Sequence, residues 1–285
     1  RHTISPQKKK RKVDDNHALI SNQVRGETAN KVKENPLTLN IYSWNVNGLK
    51  DPLKSSKIHY FMYNNSGIFL FQEIHCPDTY SLNRLKTGTL YLKACSKHTN
   101  GVAMAIPNCN PNLIHSPSSL NRADDKPSII HAQITWFDLT IFVINIYAPS
   151  GNVNERTDFF KQLNTLLDQH RDQLLILAGD FNCVLDAVQD RPLKTNISLT
   201  RGRDQLALEE LILKHNLIDS WRFKNPISKA CTFGRAFDTK ISRIDRIYVS
   251  ESLTNLIAKA EIIPHTASDH NICTLSLKTP GNLLI

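Results

Sequence analysis

The feature that most constrains the fold is an alternation of short apolar runs with amphipathic segments, continuing from Leu37 to Leu277. Runs rich in Ile, Val, Leu and Phe predict buried strands, and apolar residues at every third or fourth position predict helices. The predicted strands are 37–44, 67–71, 101–106, 129–136, 139–147, 174–178, 231–233, 241–249, 262–264 and 272–277. The predicted helices are 53–63, 154–170 and 204–215.

This pattern predicts a fold of the α/β (α+β) class. The strands 129–136 and 139–147 are close enough to form a hairpin about Asp138, whereas other strands are separated by helices, so mixed sheets are expected. We therefore expect two packed mixed sheets between helical layers, a four-layer α/β/β/α sandwich. A chain of 285 residues with 40% hydrophobic residues can bury a core of that size.

The first 36 residues differ from the rest of the chain. They are polar, lack a sustained period and carry nine Lys or Arg against four Asp or Glu, which predicts a disordered basic tail before a folded domain at 37–285. A basic run within the tail resembles a nuclear-localisation signal, so we expect the nucleus. The run consists of Lys8, Lys9, Lys10, Arg11 and Lys12. A phosphate-binding arm or an appended tag are the alternatives. Because the sequence starts with Arg1, we expect it to be part of a longer polypeptide.

The overall charge points to a polyanionic partner. The net charge is +9, which favours nucleic acid or an anionic membrane. No apolar stretch approaches the roughly 20 residues that span a bilayer, so we expect no membrane partner. The six cysteines form no CxxC pair and no zinc spacing, which predicts reduced thiols in a reducing compartment.

Four polar segments follow or begin predicted strands. They are Gln72-Glu73, Gly179-Asp180-Phe181-Asn182, Arg243-Ile244-Asp245-Arg246 and Ser268-Asp269-His270. Strand ends on one rim of a sheet can bring polar side chains together on a rigid scaffold. Carboxylates, amides and one histidine at such a rim can hold a divalent cation beside an activated water, as phosphodiester cleavage requires. An ordinary strand-to-loop turn is the alternative for the Gly-Asp-Phe-Asn segment.

These segments carry a family resemblance. With Trp44-Asn45-Val46-Asn47-Gly48 and Asn145-Ile146-Tyr147-Ala148-Pro149, and in the same order, they resemble the exonuclease–endonuclease–phosphatase (DNase I-like) superfamily. Within it they are most similar to the apurinic-type endonuclease domain of non-LTR (LINE) retrotransposons. The resemblance implies a DNase I-like fold and a Mg²⁺-dependent endonuclease, with Mn²⁺ as an alternative cation. It would nick one strand of double-stranded DNA and leave a 3′-OH that primes reverse transcription.

The resemblance also implies roles for individual residues. In the full-length protein it implies a reverse transcriptase domain and element RNA as partners. The implied metal ligands are Glu73, Asn45 and Asp269, with Glu73 as the main ligand because Mg²⁺ prefers carboxylate oxygen. The implied catalytic set is Asn45, Glu73, Tyr147, Asp180, Asn182, Asp245, Asp269 and His270. Of these, Tyr147 and Asn182 are expected to reach the phosphate.

The residues leave two candidates for the general base. Asp180 and Asn182 alternate with Phe181, so both should face the same side of an extended strand end while Phe181 enters the core. Asp180 can then deprotonate water. A carboxylate such as Asp245 on one nitrogen of His270 would fix the tautomer and favour the imidazolium. The choice between Asp180 and the Asp245–His270 pair stays open.

Two loops are candidate DNA contacts. The segment between Thr232 and Ile241 predicts a hairpin that resembles the variable target-recognition element of LINE endonucleases. Basic and aromatic side chains there can enter a minor groove, although a solvated turn is the alternative. The candidate DNA-binding residues of the hairpin are Thr232, Arg235, Phe237 and Lys240. Arg201 and Arg203, with Lys194, lie in a second polar loop that can contact the DNA backbone.

Three rival functions are consistent with parts of the sequence. The first is an apurinic/apyrimidinic repair endonuclease or an exonuclease of the same superfamily, disfavoured because Asn47 stands where repair enzymes carry Asp. The second is a relative that acts on phosphoinositide, sphingomyelin or poly(A), and the basic tail weakens the lipid options. The third is a non-catalytic DNA-binding module, which the presence of every expected acid argues against.

Overall fold

The computed structural model describes residues 38–75, 89–94, 101–107, 114–121, 127–191, 200–234 and 241–279. They belong to one compact unit, Asn35–Ile285. Their strands are β1 (Thr38–Asn45), β2 (Ile68–Gln72), β3 (Thr89–Ala94), β4 (Val102–Pro107), β5 (Ile114–Asn121), β6 (Pro127–Trp136), β7 (Leu139–Tyr147), β8 (Leu174–Asp180), β9 (Leu217–Asp219), β10 (Asp245–Ser250), β11 (Ile257–Ile263) and β12 (Ile272–Lys278). Their helices are α1 (Pro52–Asn64), α2 (Val153–Asp168), α3 (Arg203–Lys214), α4 (Ser220–Lys224) and a 3₁₀ turn at Glu251–Leu256.

Within the described chain, the strands form two six-stranded mixed sheets. The first sheet has the order β11-β12-β1-β2-β4-β3, and the second has the order β5-β6-β7-β8-β10-β9. Each contains one parallel pair at its centre, β1–β2 in the first and β7–β8 in the second. Parallel neighbours need a crossover connection, which α1 and α2 provide. Within each central pair, the carboxyl ends of the two parallel strands therefore lie at the same end of the sheet. The two sheets can then bring these ends together at one rim.

Three apolar clusters define the layers. The largest lies between the sheets and joins residues such as Ile41 and Val143. Ile58 and Met62 of α1 pack on the outer face of the first sheet. On the second sheet, the outer layer is α2 and α3, through the buried residues Phe159, Phe160, Leu163, Leu208 and Leu211. The resulting order of helix, sheet, sheet and helix confirms the predicted four-layer fold.

Local sequence explains where the crossover helices begin. Asp51 precedes α1 and accepts hydrogen bonds from the backbone N–H groups of Leu53 and Lys54, while Pro52 occupies the first turn. Asn152 precedes α2 and accepts from the N–H of Asn154. Such side-chain caps satisfy donors that a helix start leaves unpaired. The two crossovers are thus started by short polar signals directly after the central strands.

Some elements differ from the predicted ones. The sequence did not predict β3, β5, β9 or α4, and β5 contains Pro117, which an edge strand tolerates because one of its edges needs no N–H donor. The predicted strand 241–249 begins only at Asp245, and 231–233 is reduced to isolated bridges from Phe233 to Ser242 and His270. The predicted strand 262–264 belongs to the longer β11. No helix in the described ranges is both long enough and apolar enough to cross a bilayer.

A buried amide pair fixes one sheet against the other. Asn145 of β7 donates from Nδ2 to the carbonyl oxygens of Phe71 and Ala103 in the first sheet, both at 2.9 Å. Its Oδ1 accepts from Nε2 of Gln72 at 2.7 Å. Buried amides that found no partner would be costly, so these bonds specify how the two sheets are aligned. The alignment matters because Glu73 and Tyr147 follow these residues closely.

Candidate active site

The polar strand ends meet at one rim. Asn45 ends β1 and Glu73 follows β2, whereas Tyr147 ends β7 and Asp180 ends β8. In the second sheet, Asp180 is opposite both Tyr147 and Asp245 in the strand register. The structure thus places residues of the predicted catalytic set on both sheets at the carboxyl ends of the central strands.

Asn45 links the two sheets at this rim. Its Nδ2 donates to Oε1 of Glu73 at 2.9 Å and to Oδ2 of Asp180 at 3.0 Å. Its Oδ1 accepts from the backbone N–H of Asn47 at 3.0 Å, and the side chain has no exposed surface. Because the amide is committed to two carboxylates and one backbone donor, we assign Asn45 the positioning of Glu73 and Asp180 rather than direct metal ligation.

Asp245 and His270 form the second unit. Nδ1 of His270 lies 2.9 Å from Oδ2 of Asp245 and 3.2 Å from Oδ1. Both side chains are almost completely buried. Burial alone would lower the pKa of His270, but the negative charge of Asp245 and the hydrogen bond to it raise that pKa to about 10. His270 is therefore an imidazolium at neutral pH.

Asp180 has an unusual carboxyl group. Burial and the nearby charge of Asp245 raise its pKa to about 7, although the positive charge of His270 and the hydrogen bond from Asn45 oppose that rise. A carboxylate with a pKa near neutrality can both hold and release a proton at working pH. Since His270 already carries its proton, Asp180 is the better candidate of the two for accepting a proton from water.

We expect the Asp180 carboxyl of the metal-free protein to take up a proton as the pH falls through about 7. This folded pKa exceeds the ordinary 3.8, so the group favours the folded state at acidic pH, and that contribution disappears as the pH rises through about 7. Infrared difference spectra of the parent minus Asp180→Asn should contain a carboxylic acid band at pH 5 that vanishes by pH 9. A spectrum without this band at pH 5 would contradict the assignment.

The segment Ser268–His270 is fastened to β1. Oγ of Ser268 donates to the carbonyl of Asn45 at 2.7 Å and accepts from the N–H of His270 at 3.2 Å. Oδ1 of Asp269 accepts from Nδ2 of Asn47 at 3.1 Å. Burial would raise the pKa of Asp269, but the Asn47 bond and the charge of His270 lower it below its usual value. Asp269 is therefore an ionised carboxylate beside Asn47.

Two donor sets at the rim bear on metal binding. Donor atoms of Asp180, Asp245 and His270 all lie within 4.8 Å of one another. That set is a poor cation site, because His270 is positively charged and its members are hydrogen-bonded to each other or to Asn45. Glu73, at 21% side-chain exposure, and the half-buried Asp269 offer ionisable oxygens, which fit a hard divalent cation.

Tyr147 lies beside Glu73 and Asp180, and Asn182 lies beside Asp180. Burial first, and then the charges of Glu73 and Asp180, raise the pKa of Tyr147 above its ordinary value, so the phenol keeps its proton. The side chains of Glu73 and Ser150 lie close enough to the Tyr147 hydroxyl to affect its pKa. Asn182 donates from Nδ2 to the carbonyl of Ala148 at 2.9 Å, and its backbone N–H donates to Oδ1 of Asp180 at 2.8 Å. Phe181, between Asp180 and Asn182 in the sequence, is fully buried in the core, as predicted.

Thr232 is placed differently from the prediction. Its side chain is fully buried, and its Oγ1 accepts from the backbone N–H groups of Ile244 and Asp245, both at 3.0 Å. The predicted DNA contact does not fit this position, because the hydroxyl faces the backbone of β10 instead of solvent. Thr232 therefore supports Asp245.

The other predicted DNA contacts are only partly described. Arg201 is exposed and donates to Oε2 of Glu209 at 2.7 Å, and Arg203 is exposed at the start of α3. Arg235, Phe237, Lys240 and Lys194 lie outside the described residues, as does the basic run 8–12.

A buried ionic network near the site was missed by the sequence reasoning. Asp190 accepts from Nε of Arg243 at 2.8 Å, from Nη2 of Arg246 at 2.9 Å and from Nη2 of Arg222 at 3.3 Å. Arg243 also donates to Oδ2 of Asp219 at 2.6 Å. The network fastens the loop after Asp180 to the start of β10. Two arginines beside a buried strand were a signal for acid partners, but nothing in the sequence gave their positions.

His75 was also missed. Its Nε2 lies 3.3 Å from Oε2 of Glu73. The only signal was its place two residues after Glu73, in a segment with no period that would tell its direction.

Solved structures share this architecture. An AP endonuclease, LMAP, from Leishmania major matches with a TM-score of 0.72 and 16% identity over 85% of this chain and 88% of that chain. A 3′ phosphatase, NExo, from Neisseria bound to a product DNA hairpin matches with a TM-score of 0.70 and 19% identity over 85% and 100% of the two chains. An AP endonuclease from Archaeoglobus fulgidus matches with a TM-score of 0.68 and 19% identity over 85% of this chain and 100% of that chain. At these identities the likeness shows the fold.

Sequence comparison identifies the family. The transposon TX1 uncharacterized 149 kDa protein of Xenopus laevis is 29% identical over 254 residues, which are 87% of this chain and 19% of that protein. The chain thus spans about a fifth of this relative, whose transposon origin agrees with the predicted resemblance. Residues 42–270 match the model of the Endonuclease/Exonuclease/phosphatase family, a span that contains the whole predicted catalytic set. The chain therefore belongs to the endonuclease/exonuclease/phosphatase family.

Proposed function

We propose that this chain is a Mg²⁺-dependent DNA endonuclease of a LINE-type retrotransposon. It nicks one strand of double-stranded DNA and leaves a 3′-OH that primes reverse transcription by a reverse transcriptase domain on the element RNA. The observation that carries the proposal is the Asn45 bridge, which holds Glu73 of one sheet and Asp180 of the other beside the Asp245–His270 pair. The transposon relative supports the element context.

The residues divide the chemistry among them. Glu73 and Asp269 would hold a divalent cation, which would supply charge stabilisation to the phosphate and the leaving oxygen. Asp180, with its pKa near neutrality, accepts the proton of the attacking water. His270 carries a positive charge that stabilises the negative charge developing on the phosphate oxygens. The neutral phenol of Tyr147 is a further hydrogen-bond donor at the same rim.

A repair-type apurinic endonuclease is the second candidate. It is supported by the fold shared with the AP endonucleases of Leishmania major and Archaeoglobus fulgidus. The local chemistry around Asn47 argues against it. The Asn47 amide donates to Asp269 at 3.1 Å, whereas repair enzymes carry Asp at the position of Asn47.

A nicking assay tests the proposal. Supercoiled plasmid is incubated with the protein with and without Mg²⁺, and in parallel with a duplex that carries one abasic site. We expect Mg²⁺-dependent nicks in the intact plasmid, with ends that a polymerase extends directly. Cleavage confined to the abasic site would favour the repair enzyme. No cleavage under any condition, with DNA still bound, would favour a non-catalytic module.

The recognition hairpin is proposed to choose the cut site. Its base is fixed by hydrogen bonds from the N–H groups of Thr232 and Phe233 to the carbonyl of Ser242, both at 2.9 Å. A metal centre sees a phosphate that is alike at every step, so specificity must come from groove contacts. Replacing residues 235–240 with Gly-Ser should change where nicks fall more than how many form. Nick positions are mapped by sequencing one long duplex, and an unchanged map would remove the hairpin from recognition.

The basic tail is proposed to direct the protein to the nucleus. Residues 1–36 hold five of the nine net positive charges and none of the predicted catalytic set. Deleting them should lower nuclear accumulation and flatten the salt dependence of DNA binding, while nicking at low salt persists. Loss of nicking at low salt in the deletion variant would show that the tail is needed for catalysis.

A further inference from the structure

The Glu73 carboxylate is held from two sides. On the buried side, Nδ2 of Asn45 donates to Oε1 at 2.9 Å. On the outer side, Nε2 of His75 lies 3.3 Å from Oε2. The side chains of His75 and Glu73 are 26% and 21% exposed, so this second contact is at the mouth of the site. Each oxygen of the proposed metal ligand thus has its own partner.

The backbone between Glu73 and His75 adopts an uncommon conformation. Both residues have positive φ angles, 50° for Glu73 and 49° for His75, which residues other than glycine seldom adopt. Hydrogen bonds fasten the segment: Gly48 N–H donates to Glu73 O at 2.6 Å, and Leu49 N–H donates to Ile74 O at 3.1 Å. Such strained positions persist where the surroundings over-determine them, and they concentrate at functional sites.

Gly48 leaves room for the imidazole ring. Its φ is 92°, and a Cβ at this position would lie 3.2 Å from Nδ1 of His75. The ring therefore packs closely over the Gly48 backbone, which fixes its position and directs Nε2 toward Glu73. With the ring in this position, Nε2 is 3.3 Å from Oε2, close enough to restrain the Glu73 carboxylate.

We infer that His75 is a positioning residue for the metal ligand Glu73. With Asn45, and beside Tyr147, it restrains the orientation of the Glu73 carboxylate. This inference rests on the proposed function, because it concerns the cation of that same site. Residues that orient a metal ligand typically change metal affinity by about 10- to 100-fold when removed.

Direct cation binding tests the inference. Mn²⁺ binding to the parent, His75→Ala and His75→Gln is measured by electron paramagnetic resonance of free Mn²⁺, without DNA. We expect His75→Ala to bind Mn²⁺ about 10-fold more weakly. His75→Gln should bind within about threefold of the parent, because the glutamine amide can donate to the same oxygen. His59→Gln on α1 is the matched control and should bind as the parent does.

A metal titration of plasmid nicking gives the second measurement. His75→Ala should need about 10-fold more Mg²⁺ for half-maximal rate, and its rate at saturating Mg²⁺ should recover to within about threefold of the parent. Equal Mn²⁺ affinity of parent and His75→Ala would overturn the inference and leave the proposed function intact. So would failure of a folded His75→Gln to restore binding, since the imidazole would then be a direct ligand. A parent that neither binds Mn²⁺ nor nicks DNA would overturn both.

Discussion

Replacing Asp180 with alanine should lower the rate of plasmid nicking by about 10²-fold or more, and His270→Ala and Glu73→Ala should have effects of similar size. Single acid–base and electrostatic groups contribute on this scale. Asp180 is bonded to Asn45 and lies beside Asp245 in the strand register, so its loss removes the proposed proton acceptor from the centre of the cluster. Glu73→Ala removes the proposed main cation ligand, and His270→Ala removes the positive charge proposed to stabilise the phosphate oxygens.

The measurement is single-turnover nicking of supercoiled plasmid at saturating Mg²⁺. Circular dichroism of each variant shows whether the fold survives, which we expect because the rim contributes little to the apolar clusters. The melting temperature of His270→Ala should fall, because that variant leaves the buried Asp245 carboxylate without its partner at 2.9 Å. Lys259→Ala is the matched control, since Lys259 is 65% exposed and pairs with Glu261 at 2.8 Å. Near-full activity of Asp180→Ala in Mg²⁺ would show that the catalytic centre has been wrongly assigned.

Replacing Asp190 with alanine should destabilise the folded state by about 3–5 kcal/mol, the usual cost of breaking a buried ion pair by removing one partner. Asp190 has no exposed surface and accepts from Arg222, Arg243 and Arg246. Removing its carboxylate leaves Arg246, which is also fully buried, without its acid at 2.9 Å. For a domain of this size, the melting temperature should fall by roughly 2–4 °C per kcal/mol.

Asp168→Ala is the control for this comparison. Asp168 also has several basic neighbours, Arg171 and Lys214 at 2.8 Å and His215 at 3.7 Å, but its side chain is 32% exposed. Exposed pairs contribute about 0–1 kcal/mol, so Asp168→Ala should hardly change the melting temperature. Equal destabilisation by the two variants would refute the special role of the buried network. Any folded Asp190→Ala should also nick slowly, because Asp190 holds the loop after Asp180.

The architecture was predictable because its signals are local. Runs such as 141–144 and 174–178 are apolar throughout, as expected for strands buried on both faces, and the apolar face of 154–170 has a helical period. The missed strands β3, β5 and β9 form only because neighbouring strands offer them an edge. β5 and the three-residue β9 lack a clear alternation, so pairing and not propensity decides their conformation, whereas β3 alternates at Leu90, Leu92 and Ala94.

The site was predictable in its composition and only partly in its geometry. Strand ends supplied Glu73, Asp180, Asp245 and His270, and the structure joins the last three within 4.8 Å. Sequence could not place Asn45 between two carboxylates, because that position depends on how two sheets are packed. The partner of Arg243 is 53 residues away along the chain, in a loop without a periodic signal. Likewise, the burial of Thr232 follows from β10 and not from its own neighbours.

The pairing of β1 with β12, the first and last strands along the described sequence, has one more consequence. Thr38 at the start of β1 is directly opposite Lys278 at the end of β12, whereas Asn45 and Ile272 lie at the catalytic end of the same two strands. The entry and exit of the domain are therefore neighbours, on the side away from the rim. Polypeptide fused at either point leaves the domain on this same side, so added domains can be joined without crossing the rim. A short linker between these two ends would also close the backbone into a ring without disturbing the reactive groups.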